Sequence, residues 1–191
     1  MKSFSWFGPV TFRSVCKCLM VLVFAAFISL YALHKSVGLC VFENSTLSAP
    51  RGIYIASRIG MDDLHVSDLV LVRLPFAVGR LPAEHLLLKH VKGFPGDEYE
   101  VTEQALILHG HSYPITHGME KYGIPYLKEG KYVISDGFYL FLNVVPVSFD
   151  GRYLGPLPSE AIAGKAYLLV NYETLYKKYL AVRGWFHAVS L

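Results

Sequence analysis

The sequence predicts a mainly β protein preceded by one transmembrane helix, and three observations support this fold class. Hydrophobic residues make up 53% of the 191 residues and charged residues only 17%, an apolar balance that excludes a wholly disordered chain. The apolar excess is concentrated in one uncharged run near the N-terminus. After that run, short stretches rich in Val, Ile, Leu and Tyr are punctuated by Gly and Pro, which is typical of β-strands and turns.

The uncharged run from Cys18 to Leu33 predicts a membrane-spanning helix. Its 16 residues cover about 24 Å, and Lys17 and Lys35 at its ends can extend the span by snorkelling. The run exceeds the roughly 7 to 15 apolar residues of a cleaved signal peptide, which favours a retained anchor over cleavage.

Basic residues are more frequent before this run than directly after it, which predicts its orientation. Lys2, Arg13 and Lys17 precede the run and Lys35 follows it closely, so the positive-inside rule places the N-terminus in the cytoplasm. In a bacterium the protein would then be a single-pass inner-membrane protein. We expect residues 1–36 to form the cytoplasmic tail and anchor, and residues 37–191 to form one periplasmic domain.

Eight stretches of the exported portion have the composition of strands. They are Gly52–Ser57, Asp68–Leu74, Leu86–Gly93, Tyr99–Val101, Ala105–Leu108, Lys131–Ile134, Phe138–Leu142 and Gly164–Asn171. The segment Phe94-Pro95-Gly96-Asp97 predicts a turn between two of them. The stretch Glu173–Leu191 lacks clear strand alternation, and both a helix and a strand near the membrane surface remain open for it.

Several classes of function are excluded by what the sequence lacks. The three cysteines, Cys16, Cys18 and Cys40, cannot form a disulfide framework or a zinc site built on paired CxxC motifs. No P-loop or GxGxxG motif is present. A net charge of +3 is too small to indicate a nucleic-acid partner. His109-Gly110-His111 lacks partnered carboxylates, so we expect neither a metal nor a cofactor.

Three blocks carry residues with chemical potential: Asn44–Tyr54, Leu88–Asp97 and Val147–Pro156. Taken alone, each has an ordinary explanation. The first is then a Ser/Thr-rich loop, the second a strand lysine facing water, and the third a polar turn with a modest ion pair. A lysine buried in an apolar strand is different, because burial lowers its pKa and makes it a usable general base.

In this order the blocks resemble the type I signal peptidase family, and most closely its conjugative-transfer branch, the TraF-type peptidases that mature pilin precursors. The first block has Asn-x-Thr and then Ser-x-Pro-x-Gly-x-Tyr, and the second has Lys followed four residues later by Gly-x-Pro-Gly-Asp. The third reads Ser-Phe-Asp-x-Arg-Tyr-x-Gly-Pro. The resemblance implies a signal-peptidase-like antiparallel β-sheet or barrel as the catalytic domain.

The resemblance implies a Ser-Lys dyad. Ser48 matches the nucleophile because it opens the Ser-x-Pro-x-Gly motif, whereas Ser45 lies on the wrong side of it. Lys89 matches the general base because it stands four residues before Gly93. In the family the lysine amine takes the serine proton, and the serine attacks the scissile carbonyl to form an acyl-enzyme.

The resemblance also implies three supporting roles. The hydroxyl of Thr46 and the backbone N–H of Ser48 match the oxyanion hole. Ser148 matches the serine that orients the lysine, and Asp150 and Arg152 match the pair that braces this part of the site.

Two departures from the general signal peptidases favour the conjugative branch. The nucleophile is followed by Ala-Pro where those enzymes have Met-x-Pro, and the run before Ser148 is Asn143-Val-Val-Pro-Val where they have Gly-Asp-Asn-x-x-Asn. Gly151 stands where many relatives have Ser, so a hydroxyl role at that position is in doubt.

The resemblance therefore implies a membrane-anchored serine endopeptidase that cleaves the signal segment of an exported precursor, a conjugative pilin subunit. The implied partners are that precursor, inner-membrane lipid and the conjugative secretion machinery. We expect the precursor to bind as an extended strand beside an exposed sheet edge, for which Arg51–Ser57 is the candidate. The alternatives are a general type I signal peptidase for secreted proteins and a non-catalytic scaffold of a secretion apparatus.

Overall fold

The computed structural model describes residues 11–46, 49–58 and 63–189, and the chain divides into two units, Met1–Val37 and Gly38–Leu191. The first unit contains helix α1, Phe12–Val37. Among the described residues, α1 is the one helix that is long and apolar enough to cross a membrane, over Phe12–Ser36. It extends the predicted run at both ends, because the flanking residues have no helix-breaking Gly or Pro.

The second unit contains eleven described strands and two described α-helices. The strands are β1 (Cys40–Asn44), β2 (Gly52–Ser57), β3 (Leu69–Arg73), β4 (Leu86–Gly93), β5 (Glu98–Val101), β6 (Ala105–Leu108), β7 (His111–Pro114), β8 (Gly130–Val133), β9 (Phe138–Leu142), β10 (Leu157–Pro158) and β11 (Ile162–Asn171). The helices are α2 (Gly151–Leu154) and α3 (Tyr172–Val189). All eight predicted strands are present, four of them with the predicted bounds, and the C-terminal stretch is helical.

The strands form two antiparallel sheets. The larger has the order β1-β2-β11-β3-β4-β9-β10 and the smaller the order β7-β6-β5-β8. Every strand pairing given for the described residues is antiparallel. The predicted fold class, a mainly antiparallel β protein with an apolar N-terminal helix, is confirmed.

The centre of the larger sheet is buried on both faces. In β3, Val70 and Val72 pack into one hydrophobic cluster while Leu71, which alternates with them, packs into another. In β4, Val91 joins the first cluster and Leu88 the second. Because successive side chains of a strand point to opposite faces and both faces are covered here, the side chain of Lys89 is largely removed from water.

The predicted peptide-binding edge at Arg51–Ser57 is wrong. Strand β2 pairs with β1 on one side and with β11 on the other, so its backbone is already used. Strand β1, which was not predicted, covers it with the register Cys40 to Ala56 and Asn44 to Gly52. A different edge is open: β4 pairs with β3 from Leu86 to His90, but its described pairing with β9 begins only at His90.

Candidate active site

Lys89 lies in the middle of β4, opposite Val70 of β3, and is only 4% exposed. Its Nζ donates a hydrogen bond of 2.8 Å to Oγ of Ser148, which is also buried. The ordinary explanation of a strand lysine facing water therefore does not hold here. Sheet position explains the burial, since both faces of β4 are covered at this point.

Burial lowers the pKa of Lys89 to about 8, because removal from water disfavours the charged ammonium. The carboxylate of Asp150 opposes this shift, and the guanidinium of Arg152 adds to it. With this pKa about one Lys89 in ten is neutral at pH 7, whereas an ordinary lysine is neutral in fewer than about one molecule in a thousand. Its amine can then accept a proton, as a general base must.

Asn143 is a part of this site that motif comparison did not single out. Strand β9 ends at Leu142, and the fully buried Asn143 side chain continues the contact with β4: Nδ2 donates to the carbonyl of Leu88 at 3.2 Å. Its Oδ1 lies 3.0 Å from Nδ1 of His90, and since an amide oxygen only accepts, Nδ1 carries the proton. The two bonds flank Lys89 on either side along the strand.

Asp150 and Arg152 form a buried ion pair that ties down the turn before Ser148. Arg152 Nε donates to Asp150 Oδ1 at 2.9 Å, and its Nη2 donates to Oδ2 at 2.8 Å. The other guanidinium hydrogens face four backbone carbonyls: Nη1 donates to those of Pro114 and Pro146, and Nη2 shares its two hydrogens among Asp150 and the carbonyls of Asn143 and Val145. Asp150 Oδ2 also accepts from the backbone N–H of Asn143. The pair therefore fixes the backbone on which Ser148 is carried.

Gly151, between these two residues, has no room for a side chain. A Cβ added there would lie 2.8 Å from the carbonyl oxygen of Phe141 and 2.6 Å from Cδ1 of Leu140. Real Cβ atoms do not approach other atoms so closely. Close packing of α2 on β9 thus explains why glycine stands at this position.

The predicted nucleophile Ser48 lies outside the described residues, as does Leu47, but the chain on both sides is described. Asn44, at the end of β1, holds the two sides together: its Nδ2 donates to the carbonyls of Thr46, Ala49 and Pro50 at 3.3, 3.0 and 3.2 Å. Its Oδ1 accepts from the Thr46 hydroxyl at 2.7 Å. Asn44 is thus a second residue that sequence reasoning missed as a site component. The signal available was its position, because Asn before a loop bonds the following backbone.

A cavity of about 480 Å³ lies between the end of β1 and the open edge of β4. It combines an apolar wall with a small number of polar groups, as ligand sites do. The residues around it are Phe42, Glu43, Asn44, Ser45, Thr46, Leu71, Leu81, His85, Leu86, Leu87, Leu88, Lys89, Val147, Ser148 and Phe149. One cavity is therefore lined by residues from all three blocks of the sequence, namely Thr46, Lys89 and Ser148.

No group of three or more His, Cys, Asp or Glu side chains suited to a metal occurs within residues 11–46, 49–58 and 63–189. In the His-Gly-His segment, His109 instead lies 3.1 Å from a carboxylate oxygen of Asp97.

The family model for signal peptidase, peptidase S26, matches residues 12–171 of the chain. The chain belongs to the S26 signal peptidase family. No curated protein matches it. A solved signal peptidase I from Enterococcus faecalis V583 is similar to it, with 19% identity, 53% of this chain and 94% of that chain covered, and a TM-score of 0.34.

Membership of the S26 family makes the chain a signal peptidase, a serine endopeptidase that acts on exported precursors. The family and helix α1 together indicate a membrane-anchored protein. This S26 peptidase thus has a cavity in which a buried lysine with a lowered pKa lies close to the segment that leads to Ser48.

Proposed function

We propose that this peptidase cleaves the signal segment of an exported pilin precursor through a Ser48-Lys89 dyad. The observation that carries the proposal is the buried amine of Lys89, which lines the same cavity as Thr46, two residues before Ser48. A buried lysine is costly to the fold when its Nζ has no ion-pair partner, and among the residues that the structure describes Lys89 has none within ion-pair distance. A general-base role gives a reason for that cost.

In the proposed reaction the neutral amine of Lys89 takes the hydroxyl proton of Ser48. The Ser48 oxygen attacks the scissile carbonyl, and the resulting tetrahedral intermediate collapses to an acyl-enzyme. Lys89 gives its proton to the leaving amine of the mature product. Water then attacks the acyl-enzyme while Lys89 again accepts a proton. Lys89 returns this proton to the Ser48 oxygen as the ester bond breaks, which releases the signal segment with a new carboxylate and restores the free enzyme.

The oxyanion is proposed to be held by the backbone N–H of Ser48 and the hydroxyl of Thr46. That hydroxyl donates to Asn44 Oδ1, and a hydroxyl has a single hydrogen to give. It must therefore rotate from Asn44 toward the oxyanion as charge develops. Asn44 supports the hole by holding the backbone of residues 46, 49 and 50 in place.

The precursor is proposed to bind in extended form along the open edge of β4. Leu86, Leu87 and Leu88 line the cavity on that side, while Glu43 to Thr46 line it opposite. An extended peptide between these walls can pair with the strand edge and place alternate side chains in the cavity. The preference for a pilin over other precursors rests on the Ser-Ala-Pro and Asn143-Val-Val-Pro-Val segments.

The assignment of roles is tested by precursor processing in cells that co-express the full-length peptidase. Ser48→Ala and Lys89→Ala are expected to abolish cleavage, while Ser112→Ala on β7 and Lys92→Ala on β4 keep it. If both dyad variants cleave like the wild type, the proposed dyad is wrong. If they are inactive in cleavage but still support assembly of a secretion complex, the chain has a scaffold role as well.

The proposed substrate is tested with two precursors side by side, one pilin precursor and one unrelated secretory protein. Selective processing of the pilin precursor supports the specialised function. Equal processing of both makes the protein a general signal peptidase.

The proposed topology has residues 1–36 as cytoplasmic tail and anchor, and residues 37–191 as the periplasmic catalytic domain. Cys40, in β1, is partly exposed and provides a native reporter. In intact spheroplasts a membrane-impermeant maleimide is expected to label Cys40, with Cys40→Ser as the control. Labelling of Cys40 only after lysis contradicts this orientation.

A further inference from the structure

Helix α3 follows the last strand of the larger sheet, and beyond its first residue, Tyr172, the described part of the helix has no covered face. It begins at an Asn171 cap, whose Oδ1 accepts from the backbone N–H groups of Glu173 and Thr174 at 3.0 and 3.1 Å. All residues from 173 to 181 are exposed. Most helical stability in proteins comes from packing of an apolar face. A helix that is exposed from residue 173 to residue 181 therefore calls for a surface that covers it.

The described part of α3 is amphipathic. At 3.6 residues per turn, five apolar or aromatic residues fall within an arc of about 140°. They are Tyr172, Leu175, Tyr176, Tyr179 and Leu180. The last four are 43% to 62% exposed. The rest of the circumference carries Thr174, Lys177, Lys178 and Ala181, and Glu173 stands at the border of the apolar arc, about 20° from Leu180.

The chemistry of this face matches the interface of a membrane better than a protein partner. Two of its four exposed residues are Tyr, namely Tyr176 and Tyr179, and the amphipathic ring of Tyr favours the headgroup region. Lys177 and Lys178 stand about 60° outside the two borders of the apolar arc, where their stems can lie along the bilayer and their ammonium groups can reach lipid phosphates. The end of β11, directly before the helix, adds exposed Tyr167, Leu168 and Leu169 to the same stretch of chain.

We infer that α3 is an interfacial helix that seats the catalytic unit on a bilayer containing anionic lipid. The family and α1 indicate a membrane-anchored protein, so a bilayer surface is always available to it. The negative phosphate headgroups complement Lys177 and Lys178. Two lysines attract anionic lipid only weakly, which suits reversible binding by a helix that the membrane anchor already keeps near the bilayer.

The start of α3 is connected to the candidate active site. The backbone N–H of Tyr172 donates to the carbonyl of Arg51 at 3.0 Å, three residues after Ser48. The Tyr172 side chain also hydrogen-bonds to Glu43, which lines the cavity. An α3 seated on lipid therefore holds the rim of the cavity close to the surface at which a precursor leaves the bilayer.

The test is amide hydrogen exchange of the full-length protein in nanodiscs that hold one copy each. The discs contain either phosphatidylcholine alone or phosphatidylcholine with about 30% phosphatidylglycerol, an anionic lipid. We expect amides of residues 173–181 to exchange roughly tenfold more slowly in the anionic discs than in detergent. The double variants Leu175→Ser/Tyr179→Ser and Lys177→Glu/Lys178→Glu are expected to lose this protection.

Matched controls separate lipid contact from other causes. Lys128→Glu/Lys131→Glu makes the same charge change on exposed residues away from α3 and should keep the protection. Unchanged exchange in β4 shows that the α3 variants remain folded. Equal exchange of residues 173–181 in detergent and in both kinds of disc overturns the inference. Protection that appears only with two copies per disc also overturns it and assigns the face to a second chain.

Discussion

Lys89 Nζ lies 2.8 Å from Ser148 Oγ in a buried contact between residues 59 positions apart in the sequence. The contact fixes the direction of the amine within β4 and leaves its lone pair, when it is neutral, free to face the cavity. Ser148 is in turn held by the turn that Arg152 and Asp150 brace. The position of the Lys89 amine thus depends on Ser148, and through it on the buried ion pair of Asp150 and Arg152.

The pKa of Lys89, about 8, predicts the pH dependence of cleavage. Since only the neutral amine can accept the serine proton, kcat/KM should rise with pH along a limb centred near 8. Lys89→Arg should be inactive, because a guanidinium stays charged, whereas Lys92→Arg should behave as the wild type. The measurement is a pH-rate profile on a precursor peptide. A profile without this limb, or full activity of Lys89→Arg, contradicts the general-base role.

The same pKa predicts that Lys89 costs stability below pH 8. The folded protein gives up this proton near pH 8, while the unfolded chain holds it to about 10.5. Between these values the unfolded state binds more protons, so the free energy of unfolding rises with pH. Lys89→Met removes the penalty and should raise the free energy of unfolding at pH 7 by about 1 to 2 kcal/mol, after loss of the Ser148 hydrogen bond.

The gain from Lys89→Met should shrink as pH rises from about 8 to 10.5. Denaturant unfolding of the full chain in detergent, followed at several pH values, measures it. Lys92→Met, on the same strand, should change the free energy of unfolding by less than about 0.5 kcal/mol. A gain from Lys89→Met that is the same at every pH would show that packing, and not the charge, is responsible.

The buried pair of Asp150 and Arg152 should be far more important for stability than an exposed pair. Arg152→Ala leaves the buried Asp150 carboxylate and four carbonyls without their donor, at a cost of about 3 to 5 kcal/mol. Arg73 offers the control, because it also pairs with a carboxylate, that of Glu84 at 3.0 Å, but both side chains are exposed. Arg73→Ala should cost at most about 1 kcal/mol. Similar losses in the two variants, measured by denaturant unfolding, would contradict this ranking.

Local patterns predicted most of the fold, whereas contacts between distant segments decided what was missed. Strand β4 was predicted with its observed bounds because its apolar run and the Pro-Gly turn after it are local signals. The burial of Lys89 is not a local property: it follows from β4 lying inside a sheet with both faces covered. Strand β1 gave no clear signal, since its five residues include an acid and an amide, and without it the free edge was assigned to β2.

The two asparagines of the site illustrate the same limit. The sequence marks Asn44 and Asn143 as polar residues near motifs, but an amide acquires its role only from the groups it meets. Asn44 meets the carbonyls of its own loop, which turn chemistry can suggest. Asn143 meets Leu88 and His90, more than fifty residues away, and this pairing depends on the register between β4 and β9.

Asn143 should act as a positioning residue for Lys89, and Asn143→Asp tests this with a readout that stability alone does not move. The carboxylate keeps an acceptor for His90 but loses the donor to the Leu88 carbonyl. It also places a negative charge against Leu88 and His90, the two neighbours of Lys89 in β4. A negative charge there favours the ammonium form and raises the pKa of Lys89. The rising limb of the pH-rate profile should therefore move above 8.

Asn143→Ala removes the same donor without adding charge, so its activity should fall while the limb stays near 8. Equal limbs in both variants and the wild type would mean that Asn143 supports the fold without influencing the base.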